Sequence, residues 1–357
     1  MLAVLDRLAG EEFEFVALAP ESGPLADALA KRGIRHVPFH FHDKEGHRLP
    51  RNAVCRNLLS AVRVVSPQLV HANSLSMGRI TGAIASEFSV PTVAHLRDIL
   101  TLSRAAVADL NRNRRLIAVS QATRDFHVEQ GFDSDRTQVL YNGVDCDRFF
   151  PRSTTGELKQ ELGLPEDAFL VVTIGQIGLR KGQDVLAEAA ILAGDRLPAV
   201  HYLLVGERHS TKRESIEFEQ NLISRFEEAG LGNRLHRLGN RNGVHRLMNE
   251  ADLLVHPAHQ EPLGRVLLEA AAAGLPMIAT TVGGTAEIVE DGRSARLIPP
   301  GNPHALAEAM IELRFDNQRR KQLALNARHR METTFSISRA ATALKQLWQE
   351  ILHLNDN

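Results

Sequence analysis

The segment from His256 to Thr280, HPAHQEPLGRVLLEAAAAGLPMIAT, holds two carboxylates at a spacing that suits a long anionic ligand. Glu261 stands beside the Pro-Leu-Gly turn, and Glu269 stands on the Ala-rich helix that this turn opens. At about 1.5 Å of rise per residue the two lie roughly 8–12 Å apart, about the span from sugar to ribose in a nucleotide-sugar. Between them Leu263, Gly264 and Arg265 open the helix, and the free N–H groups of a helix start attract a diphosphate. A second candidate is GLRKGQD, where Arg180 and Lys181 follow the apolar run LVVTIG and lead into a helix. Cations there suit a departing diphosphate, because donors and charges placed where negative charge develops lower the barrier. No Asp-x-Asp pair stands in a suitable turn, so the expected chemistry uses no metal.

These residues need a scaffold, and the apolar pattern supplies one. FEFVALA, HVPFHF, QLVHA, TVAHL, LIAVS and TQVLY read as buried strands, separated by amphipathic stretches at 24–32, 51–65, 76–88 and 120–130. FLVVTIG, VHYLLVG, RLHRLG, ADLLVHP, PMIAT and ARLIPP repeat the rhythm. Strands that are apolar throughout and alternate with helices predict an α/β fold with parallel, doubly wound sheets. The polar stretch Cys146 to Glu157, broken by Pro151 and Gly156, reads as a linker between two such halves. The expected domains are 1–150 and 151–335, followed by a helical segment 336–357 that contains the single Trp348.

Composition excludes several classes. With 357 residues the chain is long enough for two cores, and 42 basic against 43 acidic residues give no global attraction for nucleic acid. Two cysteines, Cys55 and Cys146, argue against a disulfide framework and suit a reducing, cytoplasmic setting. No apolar run of membrane-spanning length and no signal peptide is visible.

Seven ordered blocks carry a family resemblance: VAHLRD, LIAVSQATRD, LYNGVD, IGQIGLRKGQDVLAEAA, LLVGE, EPLGRVLLEAAAAGLP and GGTAEIVEDG. Together they resemble the family 4 retaining nucleotide-sugar glycosyltransferases of the GT-B fold, with their E-x7-E signature. The resemblance implies two Rossmann-like domains facing a cleft, with the donor held mainly by the C-terminal one and the last helix crossing back onto the first. It implies transfer of a hexose-type sugar from a nucleoside diphosphate to a hydroxyl of a glycan or lipid-linked glycan, with retention. The implied donor is a UDP-sugar, with GDP- and ADP-sugars as alternatives, and no further cofactor. Glu261 would then contact the sugar, Glu269 the ribose, and Arg180 with Lys181 the diphosphate. Leu238, Gly239 and Asn240 would lie near the base.

By the same resemblance His95, at the end of TVAHL, faces the sugar, with Arg97 and Asp98 beside it and Asn142 near the cleft floor. Glu287, in the GGTAEIVEDG loop, would lie beside the donor or cap a short helix. Two departures stand out. Gln176 occupies a position where the family more often has Arg, and the first strand with its glycine loop is missing, because LAVLDRLAG reads as a helix end. Rival readings are a non-catalytic nucleotide-sugar-binding protein, or an epimerase, which would need a carboxylate pair that the first half lacks.

Two further patterns remain. His40 and His42 would share one face of a strand, but no carboxylate or thiol set completes a metal site there. From Gly46 to Ser86 the only charged side chains are five arginines, Arg48, Arg51, Arg56, Arg63 and Arg79. Segment 48–63 is therefore a candidate for peripheral contact with an anionic membrane at its inner face.

Overall fold

The computed structural model describes residues 1–10 and 12–353. The chain divides into two compact units, Met1–Asn142 with the C-terminal helix, and Gly143–Ser336.

The first unit contains strands β1 (Val16–Ala19), β2 (Arg35–Pro38), β3 (Val70–Ala72), β4 (Thr92–Leu96), β5 (Arg115–Ala118) and β6 (Thr137–Val139). Its helices are α1 (Leu2–Leu8), α2 (Pro24–Ala30), α3 (Arg51–Val65), α4 (Leu75–Ala83), α5 (Arg104–Leu110) and α6 (Gln121–Glu129). Strands β3–β4–β5–β6 form one parallel sheet in chain order, while β1 and β2 pair with each other in a second. Leu2–Leu8 is helical, and among the described residues no strand joins β1 to β3. The aromatic rings of Phe13 and Phe15 pack against Trp348 nearby, with centroids 5.5 and 6.0 Å away.

Alternation along β4 assigns its two faces. Ala94 and Leu96 pack with Leu75, Val107 and Leu110, whereas Val93 packs with Leu344, Leu347, Trp348 and Ile351. The helices cap themselves locally: the Ser74 and Ser120 hydroxyls accept from the N–H groups of Met77 and Thr123, which are otherwise orphaned at a helix start.

The second unit contains β7 (Phe169–Ile174), β8 (Val200–Val205), β9 (Leu235–Gly239), β10 (Leu253–His256), β11 (Met277–Thr280) and β12 (Arg296–Ile298). Its helices are α7 (Glu157–Glu161), α8 (Gln183–Ala193), α9 (Arg213–Glu228), α10 (Val244–Glu250), α11 (Arg265–Ala273), α12 (Thr285–Ile288), α13 (Pro303–Phe315) and α14 (Asn317–Thr333). The six strands are parallel in the order β12-β11-β10-β7-β8-β9. The chain thus winds outward in one direction from β7 and in the other from β10. The junction of β7 and β10 is the topological switch point, where open α/β sheets bind ligands at their carboxyl ends. The polar stretch Cys146–Glu157 is fastened to this unit: Asn249 accepts from Arg152 N–H, and Glu250 from the N–H groups of Thr155 and Gly156.

The last helix, α15 (Ile337–His353), belongs to the first unit and buries Ala341, Leu344, Leu347 and Trp348 there against Val93 and Ile117. Residues 354–357 of the expected segment 336–357 lie outside the described residues.

Two expectations are corrected. Strand β2 stops at Pro38, so His40 and His42 lie beyond it, where no strand pleat aligns them. Stretch 76–88 is not one helix, because α4 ends at Ala83 and a separate turn of 3-10 helix covers Ala85–Glu87.

Candidate functional site

The switch point of the second unit brings Lys181, His256 and Glu261 together. Lys181 ends a 3-10 turn after β7, and His256 is the last residue of β10. Glu261 lies in the loop that follows β10. Lys181 Nζ donates to Glu261 Oε2 at 2.6 Å, and His256 Nε2 donates to the same oxygen at 3.0 Å. His256 is 2% exposed and Glu261 7%.

Two backbone features force this approach. Gly182 has φ +67°, and a Cβ there would lie 1.9 Å from the Pro257 carbonyl oxygen, so only glycine lets the β7 turn touch the end of β10. The Arg180 carbonyl then accepts from His259 N–H at 2.9 Å, closing the same junction.

Burial by itself would raise the Glu261 pKa, but the hydrogen bonds and charges of His256 and Lys181 prevail and bring it from 4.5 down to about 2. Glu261 is therefore an anion at neutral pH and cannot serve as a general acid. It can accept hydroxyl protons in hydrogen bonds or stabilise a neighbouring cation. Lys181, read from the sequence as a cation suited to a diphosphate, is paired with Glu261 in this structure.

Helix α11 begins at Arg265, with Gly264 as N-cap at φ +101° and no side-chain cap. Leu263, which the sequence places at the helix start, is a buried residue just before it. Glu269 is half-buried one turn further, 3.4 Å from Arg265 Nε, and burial raises its pKa against the pull of Arg265 and Arg148. Arg180 and Gln176 are both exposed. The Gln176 carbonyl accepts from Gln183 Nε2 at 3.1 Å.

Leu238 and Gly239 line a cavity of about 520 Å³ at the ends of β8 and β9, together with Ile177, Gly206 and Glu207. That is within the usual range for small-molecule pockets. Asn240 follows Gly239 and donates Nδ2–H to Glu207 Oε2 at 2.9 Å. Lys181 and Glu261 do not line this cavity.

His95 and Asn142 belong to the first unit and are joined there by Arg97. Arg97 Nη1 donates to Asn142 Oδ1 at 3.2 Å, Nη2 to Asn73 Oδ1 at 2.7 Å, and Nη2 to His95 Nδ1 at 3.3 Å. This cluster occupies the carboxyl ends of β3, β4 and β6. Asp98 is exposed, and its carbonyl accepts from His127 Nε2 at 2.8 Å.

Sequence reasoning missed four residues of these clusters. His256 is legible only as the polar end of an apolar strand, and Asn73 only as a residue after β3. His71, whose Nε2 lies 3.1 Å from His95 Nδ1, accepts at Nδ1 from Trp348 Nε1, a contact with no local signal because 277 residues separate the two.

Comparison with known proteins follows the same division. The family model described as "Glycosyl transferases group 1" matches residues 154–330, and that described as "Glycosyltransferase Family 4" matches residues 1–148. A D-inositol 3-phosphate glycosyltransferase of Geodermatophilus obscurus is 31% identical over 365 residues, covering 92% of this chain and 78% of that protein. The UDP-Gal:alpha-D-GlcNAc-diphosphoundecaprenol alpha-1,3-galactosyltransferase of Escherichia coli is 23% identical, covering 98% and 92%. Among solved structures, Anabaena Alr3699/HepE in complex with UDP-glucose superposes with a TM-score of 0.86 at 26% identity, covering 98% and 94%.

Proposed function

This chain belongs to the glycosyl transferases group 1, with the GT-B fold, and from that membership we propose that it moves a hexose-type sugar from a nucleoside diphosphate to a hydroxyl with retention. The observation that carries the reading is the Lys181–Glu261–His256 cluster at the switch point of a six-stranded parallel sheet.

Cleavage of the glycosidic bond leaves negative charge on the diphosphate and positive charge on the sugar. In the proposed site Glu261, held ionised, faces the sugar. Lys181, Arg180 and the uncapped start of α11 at Leu263, Gly264 and Arg265 take the diphosphate. Glu269 receives the ribose hydroxyls, and the cavity at Leu238, Gly239 and Asn240 takes the base, with Gln176 at its approach. No protein nucleophile is assigned, and the departing diphosphate accepts the proton of the incoming hydroxyl.

The proposed donor is a UDP-sugar, which the HepE complex with UDP-glucose supports. The proposed acceptor is a glycan or lipid-linked glycan, as the name of the Escherichia coli relative suggests. His95 and Asn142 of the first unit are proposed to hydrogen-bond sugar or acceptor hydroxyls. A peripheral membrane contact through α3 fits such an acceptor. No helix among the described residues is long and apolar enough to cross a membrane.

Thermal unfolding with UDP, GDP or ADP, repeated with Glu269→Ala, tests the donor site. A nucleotide at about a hundred times its Kd stabilises by about 2.7 kcal/mol. The expected result is a clear rise in Tm with UDP that shrinks in the variant. Equal Tm values with all three nucleotides and buffer would overturn the reading. Transfer itself is read by NMR of the anomeric proton of the product, and inversion there would overturn retention.

A further inference from the structure

A line of three side chains in the first unit has donors at one end and an unsatisfied atom at the other. Trp348 Nε1 donates to His71 Nδ1 at 3.1 Å, and His71 Nε2 lies 3.1 Å from His95 Nδ1. Arg97 Nη2 also points at His95 Nδ1, at 3.3 Å. His95 Nε2 is buried and has no hydrogen-bond partner, and the His95 side chain is 2% exposed.

The direction of this chain follows from the donor inventory. An indole N–H and a guanidinium can only donate. His71 Nδ1 must therefore accept, which places the His71 proton on Nε2, and His95 Nδ1 must accept from it. Both rings are neutral: burial and the Arg97 charge lower His71 to about 3, and burial, Arg97 and His71 hold His95 well below the ordinary imidazole range. A neutral His95 whose Nδ1 accepts has its proton on Nε2, the atom without a partner. A buried donor without an acceptor costs free energy, so the arrangement does not exist for stability alone.

We propose that Trp348 and His71 are positioning residues that lock His95 in the Nε2–H tautomer, making it a hydrogen-bond donor to an oxygen of a bound ligand and not a general base. The identification of that oxygen with a carbohydrate hydroxyl rests on the proposed transfer reaction, whereas the tautomer itself does not. Trp348 reaches β3 only because α15 packs on the first unit, so the last helix of the chain sets the chemistry of a residue on β4.

The test is nitrogen NMR of the full-length protein with 15N-labelled histidine, with the two rings identified through His71→Asn and His95→Asn. In the ligand-free wild type, His71 and His95 should each show a protonated Nε2 and an unprotonated Nδ1. Trp348→Phe should move both His95 nitrogens toward the averaged positions of a tautomer mixture. Because the chain has a single tryptophan, biosynthetic replacement by benzothienylalanine removes the same N–H at nearly constant shape if the Phe variant fails to fold. A proton on His95 Nδ1 in the wild type, or tautomers unaltered by both replacements, would overturn the relay. UDP-glucose should shift the His95 Nε2–H resonance and UDP should not, which assigns the oxygen to the sugar. Binding of UDP-glucose that leaves this resonance in place would overturn the donor role. Absence of UDP-glucose binding altogether, read independently by Tm, would count against the proposed transferase site and leave the ligand-free tautomer result standing.

Discussion

Replacing Lys181 by Met isolates the interaction on which the proposed site depends. In the wild type, the fall of the Glu261 pKa from 4.5 to about 2 corresponds to about 3 kcal/mol, at about 1.4 kcal/mol per tenfold change in proton affinity. That is the net after burial opposes it, and His256 supplies the larger and Lys181 the smaller part of the pull, both donating to Oε2. Loss of Lys181 should therefore cost about 1–2 kcal/mol, below the roughly 3–5 kcal/mol seen when a buried charge loses its only partner. The sign with pH follows from the depressed pKa. Glu261 contributes its stability above pH 4.5 and loses it as pH falls toward about 2. Urea denaturation of wild type, Lys181→Met, Glu261→Gln and the double variant, at neutral pH and near pH 3.5, measures both quantities. The expected coupling at neutral pH is about 1–2 kcal/mol, shrinking at the lower pH. A coupling below about 0.5 kcal/mol at neutral pH would show that the pair does not hold Glu261 ionised. In the proposed reaction, Lys181→Met should also lower kcat by about 10²–10³, the usual effect of removing one charge-stabilising donor.

Three further outcomes are expected. Gly182→Ala must either lose the left-handed φ or push Pro257 away, and should cost roughly 2–4 kcal/mol in urea denaturation; a change under about 0.5 kcal/mol would contradict the close approach. Arg51→Ala should destabilise by about 1–2 kcal/mol, because Asp109, 8% exposed, loses its tightest partner and keeps Arg79 at 3.3 Å and Arg112 at 3.9 Å. Arg51 is tied to Asp109, although its side chain is still 44% exposed. The membrane proposal is tested at the exposed Arg56 and Arg63, which leaves the Arg51–Asp109 pair intact, and their double replacement by Glu should reduce co-sedimentation with anionic liposomes. Equal binding by the variant and the wild type would reject that contact.

The strands and the fold class were legible in the sequence because each buried parallel strand is a continuous apolar run between turn residues. All twelve such runs, from FEFVALA to ARLIPP, contain a strand. Glu261, Lys181 and the start of α11 were legible for a related reason, since strand-end turns and helix starts are written locally in Gly, Pro and charge. Some details were not legible. The sequence marks Lys181 as a cation suited to a diphosphate, but its pairing with Glu261, 80 residues away, appears only in the structure. Likewise, nothing around His95 reveals which nitrogen holds the proton. That is set by His71 on a neighbouring strand and by Trp348, 277 residues beyond His71. Periodicity records what each segment buries. It does not record which distant side chain meets it, because that depends on strand order and helix packing across the whole unit.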